Sequence, residues 1–163
     1  MGLGANVGDA VGRMRWAEAE LAELPGVARV RLSSLWRSSP VGPVPDQPWF
    51  VNACAELVFH QAPAPRELLA ALQAIEARAG RAREREVPQG PRPLDLDLLV
   101  WGGLVVDEPR LTLPHPRLAV RAFALAPLVE LAGPELVIPG AGRAGELLAR
   151  ALADPSQAVV RIG

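Results

Sequence analysis

Leucine and aspartate alternate through Leu94-Asp95-Leu96-Asp97-Leu98, inside the longer run from Gly90 to Gly102. A period of two in a short apolar stretch bounded by proline and glycine reads as a buried β-strand. Strand side chains alternate faces at about 3.3 Å per residue, so the two acids share one face with Cα atoms roughly 6.6 Å apart. Leu94, Leu96 and Leu98 then point into the core. Two close carboxylates repel, and one tends to keep its proton unless a cation relieves the pair. Oxygen ligation of this kind suits Mg²⁺ held jointly with substrate phosphates. The alternative is a solvated strand face carrying incidental acids, and the neighbouring sequence argues against it.

Immediately before this strand lie Arg78, Arg81, Arg83, Arg85 and Arg92, against Glu84 and Glu86. The whole chain has a net charge of −1, so positive charge is concentrated here. Guanidinium forks bind phosphate bidentately. Acids that hold a metal beside arginines that hold phosphate are the parts phosphoryl-type transfer requires. Any one of these arginines alone reads better as a salt-bridged helix end; the group beside Asp95 and Asp97 does not.

Composition excludes other chemistries. All 17 basic residues are arginine and tyrosine is absent. Without lysine there is no Walker A loop, no protein-kinase site and no Schiff base. No apolar run reaches the ~18 residues of a membrane helix, and no secretory signal opens the chain. A single cysteine, Cys54, excludes a disulfide framework and a cysteine metal cluster and points to the cytoplasm. At 163 residues one domain is expected. Asparagine occurs only at Asn6 and Asn52. Both are therefore candidates for a specific role, as a positive-φ turn or a donor-acceptor contact.

The remaining pattern orders the elements. Asp9 caps a helix running to about Leu24, ended by Pro25-Gly26. Val27 to Trp36 alternates as a strand, Ser38 to Pro48 is a proline-stiffened loop, and Phe50 to His60 is a second strand antiparallel to the first. Pro65 to Arg78 is an amphipathic helix with Leu68, Leu69, Leu72, Ile75 and Glu76 along one side. Gly80 to Gly90 forms a charged loop before the Asp strand. Gly102-Gly103 suits a hairpin turn into Leu104-Val105-Val106. Arg117 to Leu131 and Ala144 to Leu152 read as helices, and Val159 to Ile162 closes the sheet. The opening Gly2-Leu3-Gly4-Ala5-Asn6-Val7-Gly8-Asp9 lacks both the spacing and the preceding strand of a dinucleotide fingerprint. It reads as a short edge strand or a start placed a few residues late. Strands and helices mixed with hairpins imply an α+β, ferredoxin-like sandwich of two or three layers with a mainly antiparallel sheet.

Two further clusters join the acids. Phe50 and Asn52 share a strand face, where an aromatic plate beside an amide would suit a flat heterocycle with donor and acceptor edges. A core phenylalanine beside an edge asparagine is the plain alternative. His115 lies clamped between Pro114 and Pro116 in Leu113-Pro114-His115-Pro116-Arg117, followed by Arg121-Ala122-Phe123. His60, at a strand end, reads as a surface residue.

With these stretches in place, the chain resembles the 6-hydroxymethyl-7,8-dihydropterin pyrophosphokinases of folate biosynthesis. The matching segments are Gly2 to Asp9, Ser38 to Gly42, Gln47 to Ala53, Ile75-Glu76 with Gly80 to Arg83, Gly90 to Leu99, Leu113 to Arg117 and Arg121 to Leu131. The pair GPRPLDLDLL and LPHPR, in this order and spacing, is the specific part. The resemblance implies transfer of pyrophosphate from ATP to the pterin hydroxymethyl oxygen with release of AMP, and two Mg²⁺ ions on Asp95 and Asp97. It implies a pterin stacked between Phe50 and Phe123, with Asn52 and Asp95 at its edge and Ser38, Ser39 and Val41 completing the pocket. It places Gln73, Glu76, Arg83, Arg92, Leu98, Arg110, Thr112, His115 and Arg121 on ATP. Arg81 and Arg92 would stabilise charge during transfer. A monomer is expected, with neither nucleic acid nor membrane as partner.

One departure stands out. Val87-Pro88-Gln89 occupies positions where the family often carries an arginine and an aromatic that closes over the pterin. Arg85 is a substitute for the former, and nothing obvious replaces the latter. If this loop orders on ATP, ATP binds first. Two other classes stay open from residues alone: an RNA-binding ferredoxin-like domain, which would favour a basic chain with exposed sheet aromatics, and a metal-dependent phosphohydrolase, which would cluster more ligands.

Overall fold

Strands β1 (Gly2–Ala5), β2 (Val27–Leu32), β3 (Trp36–Ser38), β4 (Phe50–Phe59) and β5 (Asp95–Asp97) build an antiparallel sheet that β10 (Val159–Arg161) completes. The structure, a computed structural model, describes residues 1–42, 44–85 and 87–162. Pro43 of the proline loop, Glu86 of the charged loop and the Arg85 side chain lie outside the described residues, as does Gly163.

The helices cover both faces of the sheet. Helix α1 (Ala10–Ala22), capped by the Asp9 carboxylate on Gly12 N–H at 2.9 Å, buries Met14, Ala17 and Leu21. Helix α2 (Pro65–Arg78) spans the expected residues and buries Leu68, Leu72 and Ile75. These pack with Leu3, Ala5, Val51, Ala53, Ala55, Leu94 and Leu96 on one face. On the other, α3 (Ala122–Ala132) and α4 (Ala144–Leu152) contribute Leu125, Leu128, Leu147 and Ala151, packed around Cys54, Leu99, Leu118 and Ile138. The alternation along β4 is thus clean: Val51, Ala53 and Ala55 face α1 and α2, while Asn52 and Cys54 face α3 and α4. The expected α+β sandwich is what forms, in three layers.

Four sequence expectations are corrected. Val27 to Trp36 is not one strand: β2 pairs with Ala55 to Phe59 of β4, β3 pairs with Phe50 to Asn52, and the chain breaks between them. At the break the Ser33 hydroxyl accepts the Cys54 N–H at 2.9 Å, so a side chain does the work of a ladder carbonyl. The opening segment is no edge strand; β1 lies between β4 and β5. The hairpin is displaced, because after the Trp101–Leu104 turn strand β6 (Val106–Glu108) pairs with β7 (Leu111–Leu113) and leaves β5 as the sheet edge. The helix expected from Arg117 is interrupted at Arg121, with a 3-10 turn over Leu118–Val120 ahead of α3. A further short pair, β8 (Val137–Ile138) with β9 (Gly142–Arg143), precedes α4. No helix among the described residues is long and apolar enough to cross a membrane.

Cys54 is fully buried, and burial pushes its thiol up to about 11. Only the thiolate is reactive. Native protein at pH 8 is therefore expected to resist iodoacetamide and to label fully in denaturant, as read by intact mass. Rapid native labelling would contradict this packing.

Candidate active site

The sheet register puts the acids, the amide and two glycines in adjoining rows. Gly4 pairs with Asn52 on one side and Asp95 on the other, and Gly2 pairs likewise with Cys54 and Asp97. Strands lie about 4.8 Å apart, so Asn52 and Asp95 stand roughly 9.6 Å apart with only glycine between them. A Cβ at Gly4 would lie 3.3 Å from Asn52 Oδ1. The bare glycine row gives the floor of a cavity of about 380 Å³ on the α3 and α4 face of the sheet.

This cavity brings together most of the residues singled out in the sequence. Ser38, Ser39, Val41, Phe50 and Asn52 line one part and Phe123 comes from α3. Arg81, Arg83, Arg92, Asp95, Asp97, His115 and Arg121 line the rest. A second depression of about 390 Å³ takes Gln73 and Glu76 with Ala77, Ala82 and Glu84, and shares Arg81 and Arg83 with the first. Leu98, Arg110 and Thr112 line neither. Leu98 turns its side chain into the core, while Arg110 and Thr112 sit on the β6–β7 hairpin. Sequence reasoning passed over Arg117, Leu99, Leu118 and Gly4 as lining residues. Arg117 was visible as the last residue of the LPHPR motif; the glycine floor had no one-dimensional signal.

The charged groups are ordered by one buried hub. Glu76, on α2, is 1% exposed. Its Oε1 accepts from Leu96 N–H at 2.7 Å and from Arg81 Nη1 at 2.6 Å, and its Oε2 accepts from Arg83 Nε at 2.9 Å. Burial raises its carboxyl against the opposing pull of the Leu96 N–H, Arg83 and Arg81. Arg81 also bonds Asp95 Oδ1, and Arg92 Nη1 reaches Asp95 Oδ2 at 2.9 Å. Burial works against ionised Asp95, but these two guanidiniums outweigh it and hold its carboxyl below the usual range. Asp97 is the opposite case. Burial first, and then the Asp95 charge, push its carboxyl up. Neighbouring carboxylates driven apart in this way are common at functional sites.

His115 Nδ1 accepts the Arg117 N–H at 3.1 Å, which leaves Nε2 to carry the ring proton. Burial lowers its pKa, and Arg121 and Arg117 lower it further against the pull of Asp97. The ring is thus a neutral donor. The Arg121 guanidinium lies 5.3 Å from the Phe123 ring centroid, so the arginine and the aromatic are positioned together. Asn52 donates through Nδ2 to Ser38 Oγ at 2.9 Å, leaving Oδ1 as an acceptor over Gly4. Arginine cations, paired acids and an aromatic pocket with an amide edge therefore share one cavity.

Comparison with known proteins places this arrangement. Residues 1–133 match the model of the family described as 7,8-dihydro-6-hydroxymethylpterin-pyrophosphokinase. A 2-amino-4-hydroxy-6-hydroxymethyldihydropteridine pyrophosphokinase of Pseudomonas aeruginosa is 42% identical over 98% of this chain and 93% of its own length. One of the same name from Methylorubrum extorquens is 42% identical over 96% and 93%. A mitochondrial folate synthesis bifunctional protein of Arabidopsis thaliana is 41% identical over 80% of this chain, which spans 23% of that larger protein. The chain belongs to the 7,8-dihydro-6-hydroxymethylpterin-pyrophosphokinase family and is a pyrophosphokinase of the hydroxymethyldihydropterin in folate synthesis.

Proposed function

We propose that ATP is the pyrophosphate donor, that AMP is the leaving product, and that the triphosphate lies between the arginines and the Asp95–Asp97 pair. The observation that carries this is the lining of one cavity by Arg81, Arg83, Arg92, Arg117 and Arg121 together with two carboxylates. A polyanion is the natural complement to that excess of guanidinium. The pterin then occupies the part bounded by Phe50, Asn52 and Phe123, where Asn52 Oδ1 accepts from the heterocycle edge.

Asp95 and Asp97 suit magnesium. Asp97 accepts no hydrogen bond and makes no ion pair among the described residues, and its raised carboxyl is that of a group in need of a cation. No cluster of three or more ligating side chains occurs among those residues. That donor set fits Mg²⁺, which keeps several waters and completes its shell with substrate phosphates. Bound there, two such ions would offset phosphate charge and acidify the pterin hydroxyl.

The chain itself supplies position and field. Arg81 and Arg92, both bonded to Asp95, would act on the phosphates together with Arg121 and the neutral His115 of the same cavity, and little covalent chemistry is asked of any of them. Leu98 directly follows β5, the free edge of the sheet, and its main-chain groups are assigned to the nucleotide base. Gln73, which lines the second depression, is assigned to the base with them. A monomer working in the cytoplasm is part of this reading, and a single buried thiol accords with that compartment.

The test is incubation with ATP, Mg²⁺ and the hydroxymethyl dihydropterin. AMP is expected in equal amount to pterin diphosphate, and chelation by EDTA is expected to abolish both. Release of free phosphate in place of AMP, or full turnover in EDTA, would overturn the proposal.

A further inference from the structure

Asn6 lies just after β1, is 5% exposed, and belongs to neither substrate pocket. Its backbone N–H donates to Arg92 O at 3.1 Å, and its side-chain Oδ1 accepts Arg92 N–H at 2.8 Å. One residue thus satisfies both main-chain polar groups of Arg92, from 86 positions away. The other half of the amide turns the opposite way: Nδ2 donates to Pro48 O at 3.1 Å. Gln47 continues the link, its Nε2 donating to Gln89 O at 2.9 Å and to Val44 O at 3.2 Å. Two amides therefore join the segment leading into Phe50 to the segment 89–92 leading into Asp95. Aspartate lacks the donor, leucine lacks both groups, and glutamine is a methylene too long for this span.

We infer that Asn6 is a positioning residue for pyrophosphoryl transfer: by clamping the Arg92 main chain it aims the Arg92 guanidinium at Asp95 and the phosphates. The inference rests on the site reading above. Arg92 has its own anchors, Nε on Gly90 O at 3.2 Å and Nη1 on Asp95 Oδ2 at 2.9 Å, but both depend on where the backbone of 90–92 is held. A displacement of about 1 Å in a group of this kind can cost on the order of 10²-fold in rate.

The experiment is a double-mutant cycle on the full chain with Asn6→Ala and Arg92→Ala, reading kcat and both KM values well below the melting temperature. Asn6→Ala is expected to lower kcat about 10- to 100-fold. In the Arg92→Ala background the same change should cost less than about threefold, because the group through which Asn6 acts is gone. Asn6→Asp, which retains the acceptor for Arg92 N–H but loses the donor to Pro48, is expected to keep more kcat than Asn6→Ala. Where Asn6→Ala does not fold, Asn6→Ser takes its place in the cycle. Equal losses in the two backgrounds would leave Asn6 a merely structural residue and overturn the inference. An Arg92→Ala variant with parental kcat and KM would instead sink the site reading beneath it.

Discussion

Asp97→Asn is expected to lower turnover by at least about 10³-fold while leaving the fold intact. The argument separates function from stability. The Asp97 carboxyl is pushed up by burial and then by Asp95, so folding binds its proton more tightly than the unfolded chain does. A raised carboxyl contributes stability that is complete below the unfolded pKa and is lost as pH rises through the folded one. At neutral pH the charge is therefore a cost, and the isosteric amide removes it. Thermal melting at pH 7 should show Asp97→Asn as stable as the parent or more so.

Asp95→Asn should lose activity similarly but behave oppositely in stability. Its lowered carboxyl, set by Arg81 and Arg92 against burial, gives stability that is present at neutral pH and lost as pH falls through the folded pKa. The amide forfeits it. If the two variants melted alike, or if either turned over near the parental rate, the division of labour between the acids would be wrong.

Glu76→Ala is expected to destabilise the protein by about 3–5 kcal/mol, the range for removing one partner of a buried ion pair. The side chain is 1% exposed and engages Arg81, Arg83 and the Leu96 N–H. Truncation leaves a buried amide without its acceptor on an edge strand. It also leaves the Arg81 guanidinium, itself 5% exposed, with less counter-charge. Glu76→Gln keeps an oxygen for Leu96 N–H and should cost less. Denaturant unfolding measures both. A loss under about 1 kcal/mol for the alanine variant would show that water or rearranged arginines replace the hub.

The two predictions share a cause. Glu76 places Arg81, Arg81 and Arg92 place Asp95, and Asp95 loads Asp97. The aspartate alternation sits on a three-residue edge strand, β5, held from inside by β1 and from outside by one carboxylate of α2. The residues proposed to reach the phosphates are thereby fixed by packing that involves no substrate. Such preorganisation is what an electrostatic catalyst requires.

The alternation of Leu94 to Leu98 was sufficient to place both acids on one face and the leucines in the core, because strand side chains have a fixed period of two. The span Pro65–Arg78 was readable for a like reason, proline opening a helix whose apolar residues recur on one side. Local rules of that kind act over a few residues and are carried by the chain itself. They failed where a distant group supplied the bond. Val27 to Trp36 looked continuous until Ser33 met Cys54, and the opening glycines looked like an edge until β4 and β5 enclosed them. Which arginine meets which acid, that Asn6 meets Arg92, and that Gly2 and Gly4 leave the floor bare were decided only by tertiary structure. Each depends on hydrogen bonds, charge pairs and strand registers between segments tens of residues apart, and no local periodicity encodes those distances.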